Sequence, residues 1–268
     1  MGVVTDSQRS LPLTGERTVP GIPAENYWFR RHEVAYEWVI ESFSDDLAGQ
    51  LVLDAGCGEG YGTALLAQAG AQALGLELDQ SAVTHAHNHY RGSLTACQAN
   101  LDTFPVREAS TSAMVSMQVI EHLWDLPGFL REALRVLTPG GLCVLSTPNR
   151  LTFSPGLARG AKPTNPFHVE EFDADQLQYL LRRTGFAEVK VSGLNHGAAL
   201  QEWEARHGDM VAAQIAAAVS GDVLLTDHPE LAAAVASITT ADFRIQTEQL
   251  ADCADLIVVA RKPKQGQA

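Results

Sequence analysis

The sequence alternates short apolar runs with amphipathic segments along most of its length, and this alternation constrains the fold more than any other feature. LVLDAG at 51–56 and LCVLSTP at 142–148 have the length of buried strands, whereas 126–137 has helical spacing. The predicted strands lie at 51–56, 71–78, 94–99, 113–119, 142–148, 187–193 and 256–262. Seven strands separated by helices predict an α/β fold with a doubly wound, mostly parallel sheet.

The same pattern divides the chain into four segments. We predict an N-terminal arm and cap helix at 1–48, a Rossmann-like core at 49–194, a helical insertion at 195–254, and the last core strand with a tail at 255–268. The insertion is rich in alanine, which favours helices. It either packs against the core or a second subunit, or forms a wall over a substrate site.

The charge of the chain bears on its partners. With 19 Lys and Arg against 32 Asp and Glu, the formal net charge is −13. Clustered basic residues are needed to grip nucleic acid or an anionic membrane, so we predict neither as a partner. Four scattered cysteines and the lack of a roughly 20-residue apolar run indicate a cytoplasmic protein. A homodimer is compatible with the sequence, which specifies no assembly.

A glycine-rich segment, Asp54-Ala55-Gly56-Cys57-Gly58-Glu59-Gly60, follows the first strand directly. Glycines allow the backbone to approach a ligand closely, and the next helix presents its N-terminal N–H groups to that ligand. The dinucleotide fingerprint places two residues before its third glycine, and here there is one. The Asp54 carboxylate would repel a pyrophosphate but accept hydrogen bonds from an ammonium group, so the motif favours a cationic cofactor.

This motif resembles that of class I S-adenosylmethionine-dependent methyltransferases. The resemblance implies that Gly56, Gly58 and Gly60 border the cofactor, which is released as S-adenosylhomocysteine. It implies that Glu77, followed by Leu78, holds both ribose hydroxyls. It also implies that the Asn100 side chain reaches the adenine amine and that the backbone N–H of Leu101 reaches a ring nitrogen. The family usually has Asp where this chain has Asn100.

Further motifs are similar to those of a narrower group, the actinobacterial methyltransferases of polymethylated polysaccharides. These motifs lie at 13–20, 25–32, 119–125, 146–150 and 165–168. This resemblance implies an acceptor that is a sugar or oligosaccharide, a precursor of a methylmannose- or methylglucose-type polysaccharide. It implies O-methylation, a reaction that composition and spacing do not show by themselves.

Removing a proton from a sugar hydroxyl requires a general base. His122 is our first candidate, because it lies just past the fourth strand, at the edge where open α/β sheets bind ligands. Glu121 beside it would orient an imidazole or hold a substrate hydroxyl. His168, in a loop after the fifth strand, is the second candidate.

Three further residues are assigned to the cofactor site. Related sequences fold an N-terminal segment over the cofactor, which implies contacts of Tyr27 and Arg31 with its carboxylate. Gln118 at the end of the fourth strand is also placed there. Some ubiquinone-pathway O-methyltransferases have an acid at that position and bind Mg²⁺. Because Gln118 replaces the acid, we predict no metal ligands, with Mg²⁺ as an open alternative.

Other functions are compatible with this core. The acceptor could be a phenol, a quinone or another small molecule. A catalytically silent protein that binds the cofactor for regulation, and a dehydrogenase, are alternatives from other classes. An amino-methyltransferase of nucleic acids would carry an N/D-P-P-Y/F turn after the fourth strand, where this chain has Gln118-Val119-Ile120-Glu121.

Overall fold

The computed structural model describes residues 17–264 and residue 266. The helices are α1 Asn26–Ser42, α2 Ser44–Leu47, α3 Tyr61–Gln68, α4 Gln80–His89, α5 Leu126–Val136, α6 Arg150–Phe153, α7 Ala174–Thr184, α8 Ala198–His207, α9 Met210–Val219 and α10 Pro229–Ser237. The strands are β1 Leu51–Ala55, β2 Gln72–Glu77, β3 Thr95–Gln98, β4 Thr111–Met117, β5 Leu137–Pro148, β6 Ala187–His196, β7 Phe243–Gln246 and β8 Asp255–Arg261.

The strands form one sheet in the order β3-β2-β1-β4-β5-β8-β6-β7. Strands β1 to β5 pair in parallel, whereas β8 is antiparallel to both β5 and β6. Six of the eight strands therefore point the same way, and helices cover both faces. The prediction of a Rossmann-like, mostly parallel sheet is confirmed.

The sheet contains one strand more than the seven that we predict from sequence. β7 pairs antiparallel with the end of β6, where Gly193 lies opposite Gln246 and His196 opposite Phe243. The predicted helical insertion at 195–254 is thus only partly helical: it contains α8, α9 and α10 and then returns to the sheet as an edge strand. The sequence Phe-Arg-Ile-Gln is too short and too polar to show a strand pattern without its partner.

Side chains on the two faces of the sheet build two separate cores. On one face, Val52 and Val144 pack with α1 and with helices of the insertion, including Met210 and Val235. The other face carries apolar side chains from neighbouring positions of the same strands, packed on α5 and α7. The insertion helices therefore share a core with the N-terminal helix.

No helix in the described ranges is long and apolar enough to cross a membrane.

A buried ion pair connects α1 to the sheet. Arg31 Nε lies 2.8 Å from Asp255 Oδ2, and both side chains are almost fully buried. The guanidinium also donates to Gln118 Oε1 at 3.0 Å and lies between the rings of Trp28 and Phe153. An arginine suits this place because its planar group bonds in its plane and stacks on its faces.

We predict that Asp255→Asn lowers the free energy of unfolding by about 3–5 kcal/mol, because it leaves the Arg31 charge buried without a counter-ion. Urea denaturation measures this loss. The double variant Arg31→Met with Asp255→Leu should lose less, since it removes both charges. Glu202→Gln breaks an exposed ion pair with Arg206 and serves as the control, with an expected change within about 0.5 kcal/mol. Equal losses for Asp255→Asn and the control would contradict the assignment.

Candidate active site

A cavity of about 420 Å³ opens at the carboxyl ends of β1 and β4, where the strand order reverses. Ligands of open α/β sheets bind at this position. The lining residues come from the N-terminal segment and α1, from the glycine loop, and from the segments that follow β2, β3 and β4. They are Arg17, Thr18, His32, Tyr36, Gly56, Cys57, Gly58, Glu59, Tyr61, Glu77, Leu78, Asn100, Leu101, Met117, Gln118, Val119, His122 and Leu123.

The three glycines of the loop have different roles. Gly56 has φ +82°, and an added Cβ would lie 2.4 Å from Val119 Cγ2, so only glycine fits between β1 and β4. Gly58 also has positive φ, but its Cβ would approach nothing closer than the Arg17 side chain at 3.8 Å. Gly60 begins α3 and packs against α4 instead of facing the cavity. Gly56 and Gly58 therefore line the cavity, and Gly60 shapes the loop from behind.

The Asp54 carboxylate lies beneath the loop and is fully buried. Its Oδ1 accepts from the Tyr36 hydroxyl at 3.0 Å, and its Oδ2 accepts from the Thr63 hydroxyl at 2.6 Å. Burial raises its pKa to about 6, against the effect of these hydrogen bonds. Asp54 thus holds α1 and α3 behind the loop, and its contact with a cofactor ammonium stays a prediction.

Five further predicted cofactor residues line the cavity: Glu77, Leu78, Asn100, Leu101 and Gln118. Glu77 accepts from the backbone N–H of Gly58 and of Asp79, each at 2.9 Å, so its carboxylate is fixed at the end of β2. Each carboxylate oxygen can accept more than one hydrogen bond, which leaves capacity for ribose hydroxyls. Asn100 forms an exposed turn with Asp102, and its Nδ2 donates to Asp102 Oδ2 at 2.9 Å. Their contacts with ribose and adenine remain predictions.

The structure places Tyr27 and Arg31 away from the lining of the cavity. The Tyr27 hydroxyl lies 2.8 Å from His196 Nε2, and the other ring nitrogen of His196 lies 3.0 Å from Glu204. Arg31 is engaged by Asp255 and Gln118. Both side chains therefore have partners inside the protein, and Arg31 reaches the site only through Gln118, which lines the cavity.

Glu121, His122 and His168 form a cluster that reaches the cavity through His122. The turn at Ile120–His122 is a short 3-10 helix, and its Glu121 carbonyl accepts from the backbone N–H of Val169 at 2.7 Å. This bond brings the His168 loop alongside, so that the rings of His122 and His168 are 5.1 Å apart. The three residues, which we predict from two separate motifs, are thus neighbours, and His122 is the one that lines the cavity.

Hydrogen bonds fix the orientation of each member of this cluster. His122 Nδ1 lies 3.2 Å from the Phe167 carbonyl oxygen. Because a carbonyl only accepts, the bond puts the proton on Nδ1 and the lone pair on Nε2. His168 Nδ1 lies 2.7 Å from Glu171 Oε1, and the Thr147 hydroxyl donates to Glu121 Oε2 at 3.0 Å.

Burial shifts the pKa of two of these groups. Desolvation raises the pKa of Glu121 to about 7. Desolvation also lowers the pKa of His122 from its usual value, and the nearby His168 acts in the same direction. At neutral pH the His122 ring is therefore uncharged and able to accept a proton.

The cluster also offers candidate metal ligands, since one ligand atom from each of Glu121, His122 and His168 lies within 4.8 Å of the others. Mg²⁺ prefers oxygen ligands, whereas two of these three donors are imidazole nitrogens. Gln118, the residue that we predict in place of an acidic ligand, is bonded to Arg31 and Ser146. This donor set does not fit Mg²⁺; a Zn²⁺-like ion would suit it better.

Several residues of the site were missed by the sequence interpretation. His32 and Tyr36 line the cavity from α1, where they look like ordinary helix positions in sequence. Thr147 and Glu171 reach the cluster from β5 and from the loop before α7. Only Glu171 had a local signal, because it follows His168 by three residues.

Comparison with known proteins defines the class to which this fold and site belong. The methyltransferase domain model matches residues 53–145. A probable S-adenosylmethionine-dependent methyltransferase of Mycobacterium tuberculosis is 45% identical over 264 residues, covering 97% of this chain and 92% of its own. A counterpart from Mycolicibacterium smegmatis is 43% identical over 261 residues, covering 95% of this chain and 96% of its own.

Solved structures agree on the fold. A methyltransferase of Thermotoga maritima, titled a possible histamine N-methyltransferase, has a TM-score of 0.58 at 16% identity and covers 88% of this chain and 93% of its own. An S-adenosylmethionine-dependent methyltransferase of Archaeoglobus fulgidus has the same TM-score and identity, with coverages of 89% and 97%. At this identity the likeness concerns the fold alone.

The chain therefore belongs to the S-adenosylmethionine-dependent methyltransferases of class I. Its cofactor is S-adenosylmethionine, and the residues present fit it: Gly56 and Gly58 leave room for the ligand, and a fixed carboxylate at Glu77 lies beside them. The ubiquinone biosynthesis O-methyltransferase of Xanthomonas oryzae is more distant, at 35% identity over 161 residues that cover 56% of this chain and 67% of its own.

We predict that Gly56→Ala weakens the binding of S-adenosylhomocysteine by about tenfold or more, which corresponds to about 1.4 kcal/mol. The added methyl group would collide with Val119 and displace the loop. Isothermal titration calorimetry measures the affinity. Gly92→Ala is the control, because Gly92 also has positive φ but its Cβ would meet nothing within 4 Å. Unchanged affinity in Gly56→Ala would contradict this placement of the cofactor.

Proposed function

We propose that this methyltransferase transfers a methyl group to a hydroxyl of a sugar or oligosaccharide, a precursor of a methylmannose- or methylglucose-type polysaccharide. His122 is the general base. The observation that carries the proposal is the His122 ring, which lines the cofactor cavity, has its Nδ1 engaged by Phe167 and is uncharged at neutral pH.

The chemistry divides between cofactor and protein. Bound S-adenosylmethionine supplies an electrophilic methyl group, and its transfer leaves S-adenosylhomocysteine. His122 Nε2 takes the proton of the acceptor hydroxyl as the oxygen forms its new bond to carbon. The Glu121 carboxyl, whose Oε1 lies 4.0 Å from His122 Nε2, then lies beside the charged imidazolium. The adjoining His168 is held by Glu171 and keeps the His122 ring in place.

The choice of acceptor is supported by the polysaccharide-methyltransferase motifs and by the charge of the chain. A net charge of −13 disfavours polyanionic acceptors such as nucleic acid, but does not affect a neutral sugar. We further propose that the acceptor is a small molecule or oligosaccharide and that the enzyme works in the cytoplasm. A homodimer is compatible with the sequence. A phenol or quinone is the second candidate acceptor, favoured by the likeness to the ubiquinone enzyme of Xanthomonas oryzae.

A transfer assay tests the proposal. Purified protein is supplied with S-adenosylmethionine and with mannose- and glucose-based oligosaccharides, both partly methylated and unmethylated, and NMR locates the new methyl group on the product. Catechol and hydroquinone acceptors run in parallel. Transfer to a sugar hydroxyl supports the proposal, and transfer only to the phenols replaces it with the second candidate. Cofactor binding without transfer to any acceptor would indicate a silent binding protein.

We predict that His122→Gln lowers kcat by about 10²–10⁴-fold, the usual contribution of a general base. The affinity for S-adenosylhomocysteine should stay within about threefold, less than 1 kcal/mol. Stopped assays and calorimetry measure the two quantities. His228→Gln, at an exposed position, is the matched control. A variant that keeps most of its kcat would show that another group takes the proton.

We also predict the direction of the pH dependence. A base must be uncharged to accept a proton, so kcat should fall as the pH decreases through the pKa of His122. Since burial lowers that pKa, the acidic limb of the kcat profile should lie below pH 6.5, the usual value for histidine. A limb above pH 7 in the wild type, or an unshifted limb in His122→Gln, would contradict the assignment.

Removal of metal gives an independent test of the same base. We predict that transfer persists after treatment with a chelator, because an uncharged imidazole accepts the proton without help from an ion. The measurement is initial rate before and after dialysis against EDTA, with metal content followed by mass spectrometry. A loss of activity that Zn²⁺ restores would make His122 a ligand instead of the base.

A further inference from the structure

Trp124 is the most exposed of the large apolar side chains in the described ranges, with 90% of its surface accessible. It directly follows Leu123, which lines the cavity, and lies two residues after His122. Its backbone is well fixed: the Asp125 side chain accepts from the backbone N–H of Gly128 at 2.8 Å and caps α5. A large indole held in solvent at the edge of a ligand cavity points to binding, since apolar surface is otherwise buried.

Phe167, in the loop after β5, is a second exposed aromatic residue, and its backbone contacts His122. Its side chain is 55% accessible. Its carbonyl oxygen is the partner of His122 Nδ1, and its N–H donates to the Asn165 side chain at 3.0 Å. Trp124 and Phe167 therefore lie on the two loops that meet at His122. We call these two residues the aromatic rim.

The size of the cavity limits what it can enclose. At about 420 Å³ it is at the lower end of the range for ligand sites, roughly 300–1,000 Å³. It has to hold the cofactor and the reacting group of the acceptor. An acceptor larger than a single ring must therefore extend out of the cavity, past His122.

We propose that the aromatic rim is an acceptor subsite, in which Trp124 packs against the sugar ring next to the one that is methylated. This inference rests on the proposed function and extends it: the acceptor is an oligosaccharide of at least two rings. A pyranose ring has hydroxyls on its edge and C–H groups on its face. Its face packs on an aromatic ring, while its edge reaches His122. Trp suits such a place because it combines large apolar area with few rotatable bonds.

Kinetics with acceptors of different length test the subsite. For a di- or trisaccharide, Trp124→Ala should raise KM about tenfold, the loss typical of one aromatic anchor, and leave kcat within about twofold. For a single-ring acceptor, KM should not change. Trp124→Phe should recover part of the affinity. Tyr179→Ala is the matched control, because Tyr179 is also exposed, at 58%, but lies on α7 and not on either loop that carries His122 or Phe167.

The outcomes separate this inference from the proposed function. If the wild type methylates oligosaccharides but Trp124→Ala changes KM equally for long and short acceptors, or not at all, the subsite is refuted and the function stands. If the wild type methylates no sugar, both the subsite and the proposed function fail.

Binding is measured separately by acrylamide quenching of tryptophan fluorescence with S-adenosylhomocysteine present. Oligosaccharide should protect the wild type and not Trp124→Ala. If protection of Trp124 from acrylamide depends on protein concentration and not on oligosaccharide, Trp124 contacts a second copy of the chain and the proposal is overturned.

Discussion

The hydrogen bonds to the buried Asp54 carboxylate are the interaction on which the rest of the site depends. Tyr36 from α1 and Thr63 from α3 both donate to it, so one side chain of β1 joins two helices beneath the glycine loop. A buried carboxylate without such partners would be costly, which is why both hydroxyls are needed. The same contacts bring Tyr36 against Gly62, where an added Cβ would lie 2.1 Å from its ring. The N-terminal helix thereby becomes part of the cofactor site.

The active cluster depends on a second connection, between the loops after β4 and β5. Residues separated by more than 40 positions meet because the Glu121 carbonyl accepts from Val169 and the Phe167 carbonyl lies beside the His122 ring. The parallel sheet puts both loops at the same carboxyl edge, and these bonds set the distance between the two loops. The proposed base and the proposed acceptor surface therefore lie at the same sheet edge as the cofactor cavity.

Much of this arrangement could be predicted from the sequence, since strong local patterns encode it. The helical spacing at 126–137 corresponds to α5 at Leu126–Val136, and the apolar run at 142–148 lies within β5. The glycine motif predicts where the cavity lies. The position of His122 just after β4 predicts that this residue lies at the carboxyl edge of the sheet. These features depend on residues close together in the chain.

What the sequence did not reveal depends on distant contacts. β7 forms only because β6 offers an edge, and Tyr27 faces His196 because α1 packs on the insertion side of the sheet. The positive charge of Arg31 suits contact with a cofactor carboxylate. In the structure, however, Arg31 pairs with Asp255, which lies 2.8 Å away at the start of the last strand. Nothing local distinguishes a buried ion pair from a cofactor contact. The partner of His122, the Phe167 carbonyl 45 positions away, is hidden in the same way.

The most direct test of the central claim is a crystal structure with S-adenosylhomocysteine and an oligosaccharide acceptor bound. The account predicts one acceptor hydroxyl about 3 Å from His122 Nε2, within hydrogen-bond reach, and pointing at the cofactor sulfur. It would be contradicted by an acceptor whose nearest hydroxyl is held by another side chain while His122 faces away from it.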